Sequence, residues 1–311
     1  MKPSKHRVSR KNREFLGRLY TTFLLFIDFS LGVFNLKSKL PTNLNDGALF
    51  EKSFSRVAIY ACYITTESEG FEAERILELL HDEFDLLILV NTGSRHLDFD
   101  QTNLVILHRE NFGRDLASYK YALDYLLLEK VTELFFFNDS VFWTGNSVFD
   151  FLESARHKDC EVTALTSSDQ YSYHLQSYAL HFKGDIAELS KAFKTIRISN
   201  FKRVIVEAGE KRLSRYWLAK HVKIGGIYNQ DSLIPLLANY KDVYLHDYER
   251  ILNLVSQRVP LNPSIHFWAP LYAQSGVVKK ALMNKNPAQL KYVPKTLLDL
   301  QAKIALDSKL D

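Results

Sequence analysis

The sequence has little cysteine and lacks the common dinucleotide and phosphate-loop motifs. Its two cysteines, Cys62 and Cys160, form no CxxC pair, and its ten histidines form no HxH or HExxH pattern. We therefore expect two reduced thiols in a cytosolic protein and no structural zinc site. No GxGxxG pattern and no GxxxxGK[ST] loop occurs. These absences argue against an NAD-dependent dehydrogenase and against a P-loop NTPase.

Positive charge is concentrated at one end of the chain. The 311 residues carry a formal net charge of +4, but residues 1–18 hold seven lysines and arginines against a single glutamate, a net of +6. The remaining residues therefore sum to −2 by subtraction. A basic surface over the whole domain, the usual signature of nucleic-acid binding, is not supported, and we expect no nucleic-acid partner. The 46% of hydrophobic residues is ample for a packed core.

An apolar run, Leu19 to Leu36, follows this basic arm. On a helix it has one polar stripe that includes Asp28, which predicts an amphipathic helix preceded by cations that attract anionic lipid headgroups. We expect residues 1–36 to associate with an anionic membrane surface. Packing against the domain itself or a partner, and a true span, remain alternatives, although a central Asp costs a span about 2.5–3.5 kcal/mol. No small-residue cleavage site follows, which disfavours a cleaved signal peptide.

The stretch from Leu104 to Trp143 organises the rest of the chain. A β-branched run is followed by a Gly-containing turn, with Asp115 placed as the N-cap of a helix. Apolar residues then recur at helical spacing, and the apolar strand ELFFF ends at Asn138-Asp139-Ser140. This is a βαβ unit, which predicts parallel strands that are buried on both faces.

Further elements are predicted on both sides of this unit. Strands are expected at residues 56–63, 85–90, 161–165 and 173–182, with a late edge strand at 241–245. Helices are expected at 71–81, 149–155, 185–222 and 296–306, with a helix entry at 262–268. The predicted domains are the arm and helix of residues 1–40, an α/β domain of residues 54–285 and a C-terminal helical extension of residues 286–311. The fold class is α/β, with a mostly parallel, Rossmann-like central sheet flanked by helices.

Both polar clusters of the central unit, residues 111–115 and 138–140, fall at the carboxyl ends of strands. Ligands of open α/β sheets bind in the crevice at those ends. Glycosyltransferases of the GT-A type need a carboxylate there, because a strand-end Asp coordinates the divalent metal that holds the donor's diphosphate. Asp139 is in that place, although Asn-Asp-Ser is also ordinary turn chemistry. Arg114, beside a helix N-terminus, suits an anionic diphosphate or carboxylate.

Three segments in order resemble the rhamnan synthesis protein F family of bacterial polysaccharide glycosyltransferases. They are Asn111-Phe-Gly-Arg-Asp-Leu-Ala-Ser-Tyr-Lys120, Phe137-Asn-Asp-Ser-Val141 and His174-Leu-Gln-Ser-Tyr178. Weaker similarity continues through the Glu207 region to Lys279-Lys280, so that residues 56–285 are covered approximately. The resemblance implies a GT-A-like fold and transfer of a sugar, often rhamnose from dTDP-rhamnose, onto a growing lipid-linked or cell-wall glycan. It also implies a peripheral protein on the cytoplasmic face of the inner membrane.

These observations assign a role to each candidate residue. Asp139 is expected to bind Mg²⁺ or Mn²⁺ with the diphosphate. The expected donor-binding residues are Asn111, Gly113, Arg114, Asp115, Asn138 and Ser140. His174 and Gln176 are expected to reach the sugar or the acceptor. If transfer inverts the anomeric centre, Glu207 or Asp169 is expected to remove the acceptor's proton, although Glu207 is also compatible with an ordinary surface helix.

Alternatives from other classes remain open. A lone Asp at the metal position is less than the usual acidic pair, so an inactive GT-A-like scaffold in a membrane-associated polysaccharide synthesis complex is the main rival. A nucleotidyltransferase of the same architecture is disfavoured because Ala61 to Ser68 contains neither Gly nor Lys. A binder of anionic lipid or nucleic acid built on the basic arm is a third possibility.

Overall fold

The computed structural model describes residues 53–99, 101–244 and 246–286. The basic arm and amphipathic helix predicted for residues 1–40 lie outside this range. So do the helix predicted at 296–306 and all but the first residue of the predicted C-terminal extension. No helix within the described range is both long enough and apolar enough to cross a bilayer.

The described residues form an eight-stranded central sheet and a separate two-stranded one. The strands are β1 (Arg56–Cys62), β2 (Leu86–Asn91), β3 (Leu104–His108), β4 (Glu133–Asn138), β5 (Val141–Trp143), β6 (Val162–Ser168), β7 (His174–Leu175), β8 (Ala179–Lys183), β9 (Ile224–Tyr228) and β10 (Val277–Lys279). The central order is β3-β2-β1-β4-β8-β6-β7, and β9 pairs with β6. Because β8 is antiparallel to both β4 and β6, and β9 is parallel to β6, six of the eight strands run in one direction.

Helices cover both faces of this sheet and build the C-terminal part of the chain. They are α1 (Glu67–Leu80), α2 (Arg114–Leu123), α3 (Ser147–His157), α4 (Ile186–Ser190), α5 (Lys202–Ile205), α6 (Lys211–Ala219), α7 (Gln230–Leu233), α8 (Lys241–Tyr244), α9 (His246–Ser256), α10 (Pro263–His266), α11 (Trp268–Ser275) and α12 (Lys280–Lys285). A π-helical turn, Val206–Glu210, joins α5 to α6. The predicted α/β class with a mostly parallel sheet is confirmed.

The apolar run of β4 separates two hydrophobic cores. Successive strand residues point to opposite faces, so Phe136 packs 4.6 Å from Tyr119 between ring centroids on one side. Phe137 stacks on Tyr60 at 4.5 Å on the other side. All four residues are buried. Burial on both faces is why this strand lacks the apolar–polar alternation of a half-exposed one.

A third core lies in the C-terminal helices and joins the sheet through a short ladder. Its buried members include Leu233, Val243 and Trp268. The strand β10 pairs antiparallel with β5, which directly follows the end of β4, and Lys279 lies opposite Val141. The backbone N–H of Lys280 also donates to the Ser140 carbonyl at 3.0 Å. The end of the chain's described part thereby reaches the carboxyl end of the central strand.

Three sequence predictions about local structure are wrong. Residues 241–244 form a helix, not an edge strand, because the buried side chains of Val243 and Tyr244 belong to a helical face that packs in the third core. The predicted strand 173–182 is two strands, separated by residues 176–178. The predicted helix 185–222 is divided into several short segments.

Gly226, expected to follow a helix, lies in the unpredicted strand β9. A Cβ atom at this position would come within 2.5 Å of the Ser167 backbone nitrogen. Glycine therefore permits the close approach of β9 to β6.

The turn before α2 also differs from its prediction. The N-cap of α2 is Gly113, with φ of 76°, while Asp115 lies in the first turn and does not cap the helix. Both Gly113 and Arg114 have positive φ values. The partly buried side chain of Arg109 holds this turn. Its Nη2 donates to the carbonyls of Phe112 at 2.7 Å and Arg114 at 2.9 Å. Burial lowers the pKa of Arg109 to about 10.

A charged cluster fixes the opposite, amino end of β4. Glu133 Oε1 accepts from Arg156 Nε at 2.8 Å and pairs with His181 Nε2 at 2.7 Å. Arg156 also reaches Glu83 at 2.8 Å. Burial alone would raise the pKa of Glu133, but the hydrogen bonds from His181 and Arg156 outweigh it and lower that pKa to about 2.

Replacing Glu133 by Gln is expected to lower the free energy of unfolding by about 3 kcal/mol at pH 7. The change removes the carboxylate that balances Arg156 and His181. The folded-state pKa of about 2 lies below the ordinary value of about 4.3. The stability that Glu133 contributes in the wild type is therefore fully present above its ordinary pKa, and it is lost as the pH falls through its folded-state pKa. The difference between the two proteins should shrink between about pH 5 and pH 2.

Urea unfolding at several pH values measures this difference. The matched control is Glu153→Gln, since the Glu153 side chain contacts the same arginine but is 63% exposed; its change should stay within about 0.5 kcal/mol. Equal losses in the two variants would contradict a buried role for Glu133.

Replacing Gly113 by Ala is expected to cost at least about 2 kcal/mol of stability, because backbone strain and steric overlap act together. A Cβ here would lie 2.0 Å from Ile198 Cγ2. Gly145 offers a control, since its φ is also positive, 49°, but nothing lies within 4 Å of the added atom. Gly145→Ala should cost only about 1 kcal/mol. If denaturant unfolding gave the same loss of stability for Gly113→Ala and Gly145→Ala, the overlap with Ile198 would be removed by side-chain movement at no cost.

Candidate functional site

Two neighbouring parallel strands, β1 and β4, end side by side and position Asp139. Ala61 lies opposite Asn138 in the ladder, and the backbone N–H of Asp139 donates to the Ala61 carbonyl at 3.2 Å. The carboxylate turns back over β1, where its Oδ2 accepts from the Tyr63 N–H at 2.7 Å. Burial raises the pKa of Asp139, opposed by that N–H and by the charge of Lys280.

The Asn138 side chain joins this strand end to the first turn of α2. It is 3% exposed. Its Nδ2 donates to Asp115 Oδ2 at 2.8 Å. Its Oδ1 accepts from both the backbone N–H and the hydroxyl of Ser140, at 2.9 and 2.6 Å. One buried amide therefore links the two polar clusters that the sequence places at the carboxyl ends of strands.

The network continues from Asp115 to a segment between β7 and β8. Ser177 Oγ lies 2.7 Å from Asp115 Oδ2 and 2.8 Å from Glu210 Oε1. Since a hydroxyl has one proton, it donates to one carboxylate at a time. The Ser177 N–H also donates to Glu210 Oε1 at 2.8 Å. His174 Nε2 lies 4.0 Å from Glu210 Oε2, and its Nδ1 is 2.8 Å from the Ser172 carbonyl.

A lysine from the far end of the chain completes the cluster. Lys279 Nζ donates to Ser140 Oγ at 3.0 Å and lies 3.9 Å from the centroid of the Tyr178 ring. No carboxylate of the described residues lies within ion-pair distance of it. Burial lowers the pKa of Lys279 to about 8, although the charges of Glu210 and Asp115 act to raise it. Lys280 instead pairs with Glu72 at 2.8 Å.

The structure brings some predicted site residues together and separates others. Asp115, Asn138 and Ser140 are joined by hydrogen bonds, and Asp139 follows directly in the same loop. Gln176 is buried, and its Oε1 accepts from Thr166 Oγ1 at 2.6 Å on β6.

The remaining predicted residues lie outside the hydrogen-bonded network. The side chains of Asn111, Arg114 and Asp169 are exposed. Glu207 pairs with the buried Lys211 at 2.6 Å. Neither of the predicted bases, Glu207 and Asp169, makes a hydrogen bond to Asp115, Asp139 or Ser177 in the described structure. Their assignment remains a prediction.

The sequence contains signals for the three polar residues that the predictions missed. Ser177 is part of the quoted His174–Tyr178 segment, and Lys279 stands at the end of the region of family resemblance. Glu207 and Glu210 are three apart, so a regular helix would put both on one face. The π-helical turn inserts an extra residue, and Glu210 is the one whose carboxylate reaches Ser177.

A single carboxylate, that of Asp139, is compatible with a metal ion that binds together with a phosphate-containing substrate. Among the described residues, no group of three or more acidic, histidine or cysteine side chains is arranged to hold an ion. Mg²⁺ is commonly bound by one or two carboxylates together with substrate phosphates. Asp139 Oδ1 accepts no hydrogen bond from the described residues, so one carboxylate oxygen is available for such a ligand.

Comparison with known proteins gives distant similarities. No family model matches the chain, so the resemblance to the rhamnan synthesis protein F family is not confirmed. Virulence protein VirA of Vibrio anguillarum is 27% identical over 259 residues, which is 75% of this chain and 80% of that protein.

Three solved structures share a lower similarity. A protein from Desulfovibrio desulfuricans G20 assigned as a nucleotide-diphospho-sugar transferase has a TM-score of 0.37 and 9% identity, covering 66% of this chain and 97% of its own. The inositol-1-phosphate CTP transferase of T. maritima has a TM-score of 0.31 and 9% identity, covering 55% and 84%. The galactosyltransferase LgtC, with donor and acceptor sugar analogs, has a TM-score of 0.29 and 11% identity, covering 49% and 69%. These scores lie below 0.5, which is too distant a similarity to assign a function.

Proposed function

We propose that this protein is a glycosyltransferase that uses a nucleotide-sugar donor. The observation that carries the proposal is the placement of two charged residues at the carboxyl end of β4: Asp139, and Lys279, which contacts the adjacent Ser140. Lys279 is partly buried and has no carboxylate at ion-pair distance among the described residues. Burial lowers the pKa of Lys279 and raises that of Asp139. Neither side chain forms an ion pair with a described residue. A diphosphate with its divalent metal supplies both charges.

Each residue of the cluster has a role in this proposal. Asp139 would hold Mg²⁺ or Mn²⁺ together with the diphosphate, and a metal bound there would supply charge stabilisation for the departing nucleoside diphosphate. The Lys279 ammonium neutralises a second phosphate oxygen. Asn138 and Ser140 keep both groups in place through the contacts described above. Fixed charges of this kind need no reorganisation when the sugar–phosphate bond breaks, which is why they favour the transition state.

The exposed turn before α2 is proposed to form the rim of the donor site. Asn111 and Arg114 have exposed side chains there, and the positive φ of Gly113 brings the turn close to Ile198. Arg114 makes no side-chain hydrogen bond or ion pair with described residues, so its guanidinium is available for phosphate. Asp115 has its Oδ2 engaged by Asn138 and Ser177, and its other oxygen suits a sugar or ribose hydroxyl.

The proton acceptor is proposed to be a carboxylate beside this network. Besides the sequence-based candidates Glu207 and Asp169, Glu210 is supported by its contacts with Ser177 and its position 4.0 Å from His174. His174 and Gln176 are proposed to lie on the sugar or acceptor side. A base must lie within hydrogen-bond reach of the hydroxyl that it deprotonates, and Glu210 is the carboxylate that already reaches the cluster.

The donor, acceptor and location are proposed from the family resemblance and the N-terminal sequence. They are dTDP-rhamnose as one donor candidate, and a growing cell-surface or lipid-linked glycan as acceptor. Residues 1–36 would hold the enzyme on the anionic cytoplasmic face of the inner membrane, where a lipid-linked acceptor lies. The rival is an inactive scaffold in a polysaccharide synthesis complex, favoured by the single carboxylate at the proposed metal position.

Release of nucleoside diphosphate from dTDP-, UDP- and GDP-sugars, with Mg²⁺ or Mn²⁺, tests the proposal on the full chain. One nucleotide class should be turned over, and Asp139→Asn or Lys279→Met should lower the rate about 10²–10³-fold, the usual loss for one charge-stabilising group. Lys279→Arg keeps the charge and should retain more activity than Lys279→Met.

Lys223→Met is the matched control. Lys223 is an exposed lysine that pairs with Asp159 at 2.9 Å beyond the amino ends of β6 and β9, and its loss should leave the rate unchanged. Turnover that persists in both Asp139→Asn and Lys279→Met would contradict this site. Absence of turnover and of binding for every donor would favour the scaffold.

A further inference from the structure

A charged cavity lies beside the helical segment that carries Glu210. Its volume is about 350 Å³, and it is lined by Arg197, Glu207, Ala208, Arg212 and Arg215. Ligand pockets commonly enclose about 300–1,000 Å³, so the space is large enough for a phosphate or diphosphate group with its first substituents. Three of the five lining residues are arginines. This composition is unlike that of an apolar gap between helices.

The positive charge of this cavity is not compensated by its own acidic residue. Glu207 Oε2 accepts from Lys211 Nζ at 2.6 Å, and Lys211 is buried at 4% exposure. This pair is internally neutral. Arg197, Arg212 and Arg215 make no side-chain hydrogen bond or ion pair with any residue of the described structure. Elsewhere the partly buried guanidinium of Arg156 is saturated by carboxylates.

The fold holds the three arginines on two adjoining segments. Arg212 and Arg215 are three residues apart on α6 and therefore share a helix face. Arg197 lies on the loop before α5, and its backbone N–H donates to the Ala208 carbonyl at 3.2 Å. All three side chains are exposed and have no acceptor among the described residues. Like charges around one cavity repel one another, so the arrangement favours an anionic ligand. A guanidinium fork matches phosphate oxygens in bidentate geometry.

The cavity adjoins the proposed donor site on both of its segments. The loop that carries Arg197 continues to Asn200, whose Oδ1 accepts from the Gly113 N–H at 2.7 Å. The π-helical turn that carries Glu207 also carries Glu210, which contacts Ser177. The Asp139–Lys279 pair already accounts for the donor's diphosphate. A neighbouring anion site therefore fits a phosphate group on the second substrate.

We propose that this arginine cavity binds a phosphate or diphosphate group of the acceptor, an inference that rests on the proposed glycosyltransferase function. Two sources share this chemistry: a lipid-linked diphosphate and a water-soluble sugar phosphate. Binding at the cavity would hold the acceptor's anionic end while its hydroxyl approaches the donor near Ser177 and Glu210. The three arginines determine which acceptors bind and do not take part in the bond change.

Isothermal titration of the full chain with inorganic pyrophosphate in EDTA tests the anion site without a metal-bound donor. Wild type should bind pyrophosphate, and the Arg212→Ala/Arg215→Ala double variant should bind it at least tenfold more weakly. Arg258→Ala is the matched control, because Arg258 is exposed and does not line the cavity. Equal affinity in the wild type and the double variant would overturn the proposal.

Two further probes identify the source of the phosphate. Farnesyl diphosphate that binds more tightly than pyrophosphate, with the gain lost in the double variant, would indicate a lipid-linked acceptor. Glucose 1-phosphate that binds as tightly as farnesyl diphosphate would indicate a water-soluble one. Binding of both probes that is independent of Arg212 and Arg215 would contradict either source.

The stability of the ligand-free double variant distinguishes a binding role from a structural one. Because the arginines repel one another, removing two of them should leave the melting temperature unchanged or slightly raised. A clear fall would show that they stabilise the protein and would count against the proposal. Pyrophosphate binding through the arginines without any nucleotide-sugar turnover would support the anion site and contradict the proposed glycosyltransferase function.

Discussion

The buried amide of Asn138 is the interaction on which the candidate site depends. It ends the central strand, donates to Asp115 on α2 and accepts twice from Ser140. A buried amide that loses its partners costs about 1–3 kcal/mol, so this network specifies one arrangement of the loop. Asp139 lies between Asn138 and Ser140 in this loop, and Lys279 contacts Ser140, so the loop conformation positions both charged residues. The neutral side chain of Asn138 thus determines where the charged groups at the strand ends lie.

The two ends of β4 use charge in different ways. At the amino end, Glu133 is saturated by Arg156 and His181, and its pKa falls to about 2. At the carboxyl end, Asp139 and Lys279 remain without an ion-pair partner among the described residues, and burial moves both pKa values towards neutrality. The first arrangement stabilises the folded chain. The second resembles a site prepared for a ligand that carries the missing charges.

Sequence reasoning succeeded where a pattern was local and strong. The apolar run of β4 and the βαβ unit identified the sheet and placed both polar clusters at the carboxyl ends of its strands. It failed where tertiary contacts decide: β5 and β10 have three residues each and pair across more than a hundred residues of chain. No local period predicts that Lys279 reaches Ser140. Likewise, the contact of Glu210 with Ser177 involves a π-helical turn that helical periodicity does not reveal.

Titration of the full chain with UDP, dTDP and GDP in the presence of Mn²⁺ tests the central claim most directly, when wild type is compared with Asn138→Ala. A donor site organised by Asn138 predicts that one nucleotide binds wild type at a ratio of one to one. It also predicts that Asn138→Ala, which contacts no ligand in this proposal but releases Asp115 and Ser140, binds it at least tenfold more weakly while remaining folded. Equal affinity in the two folded proteins, or no binding of any nucleotide to wild type, would contradict a donor site organised by Asn138.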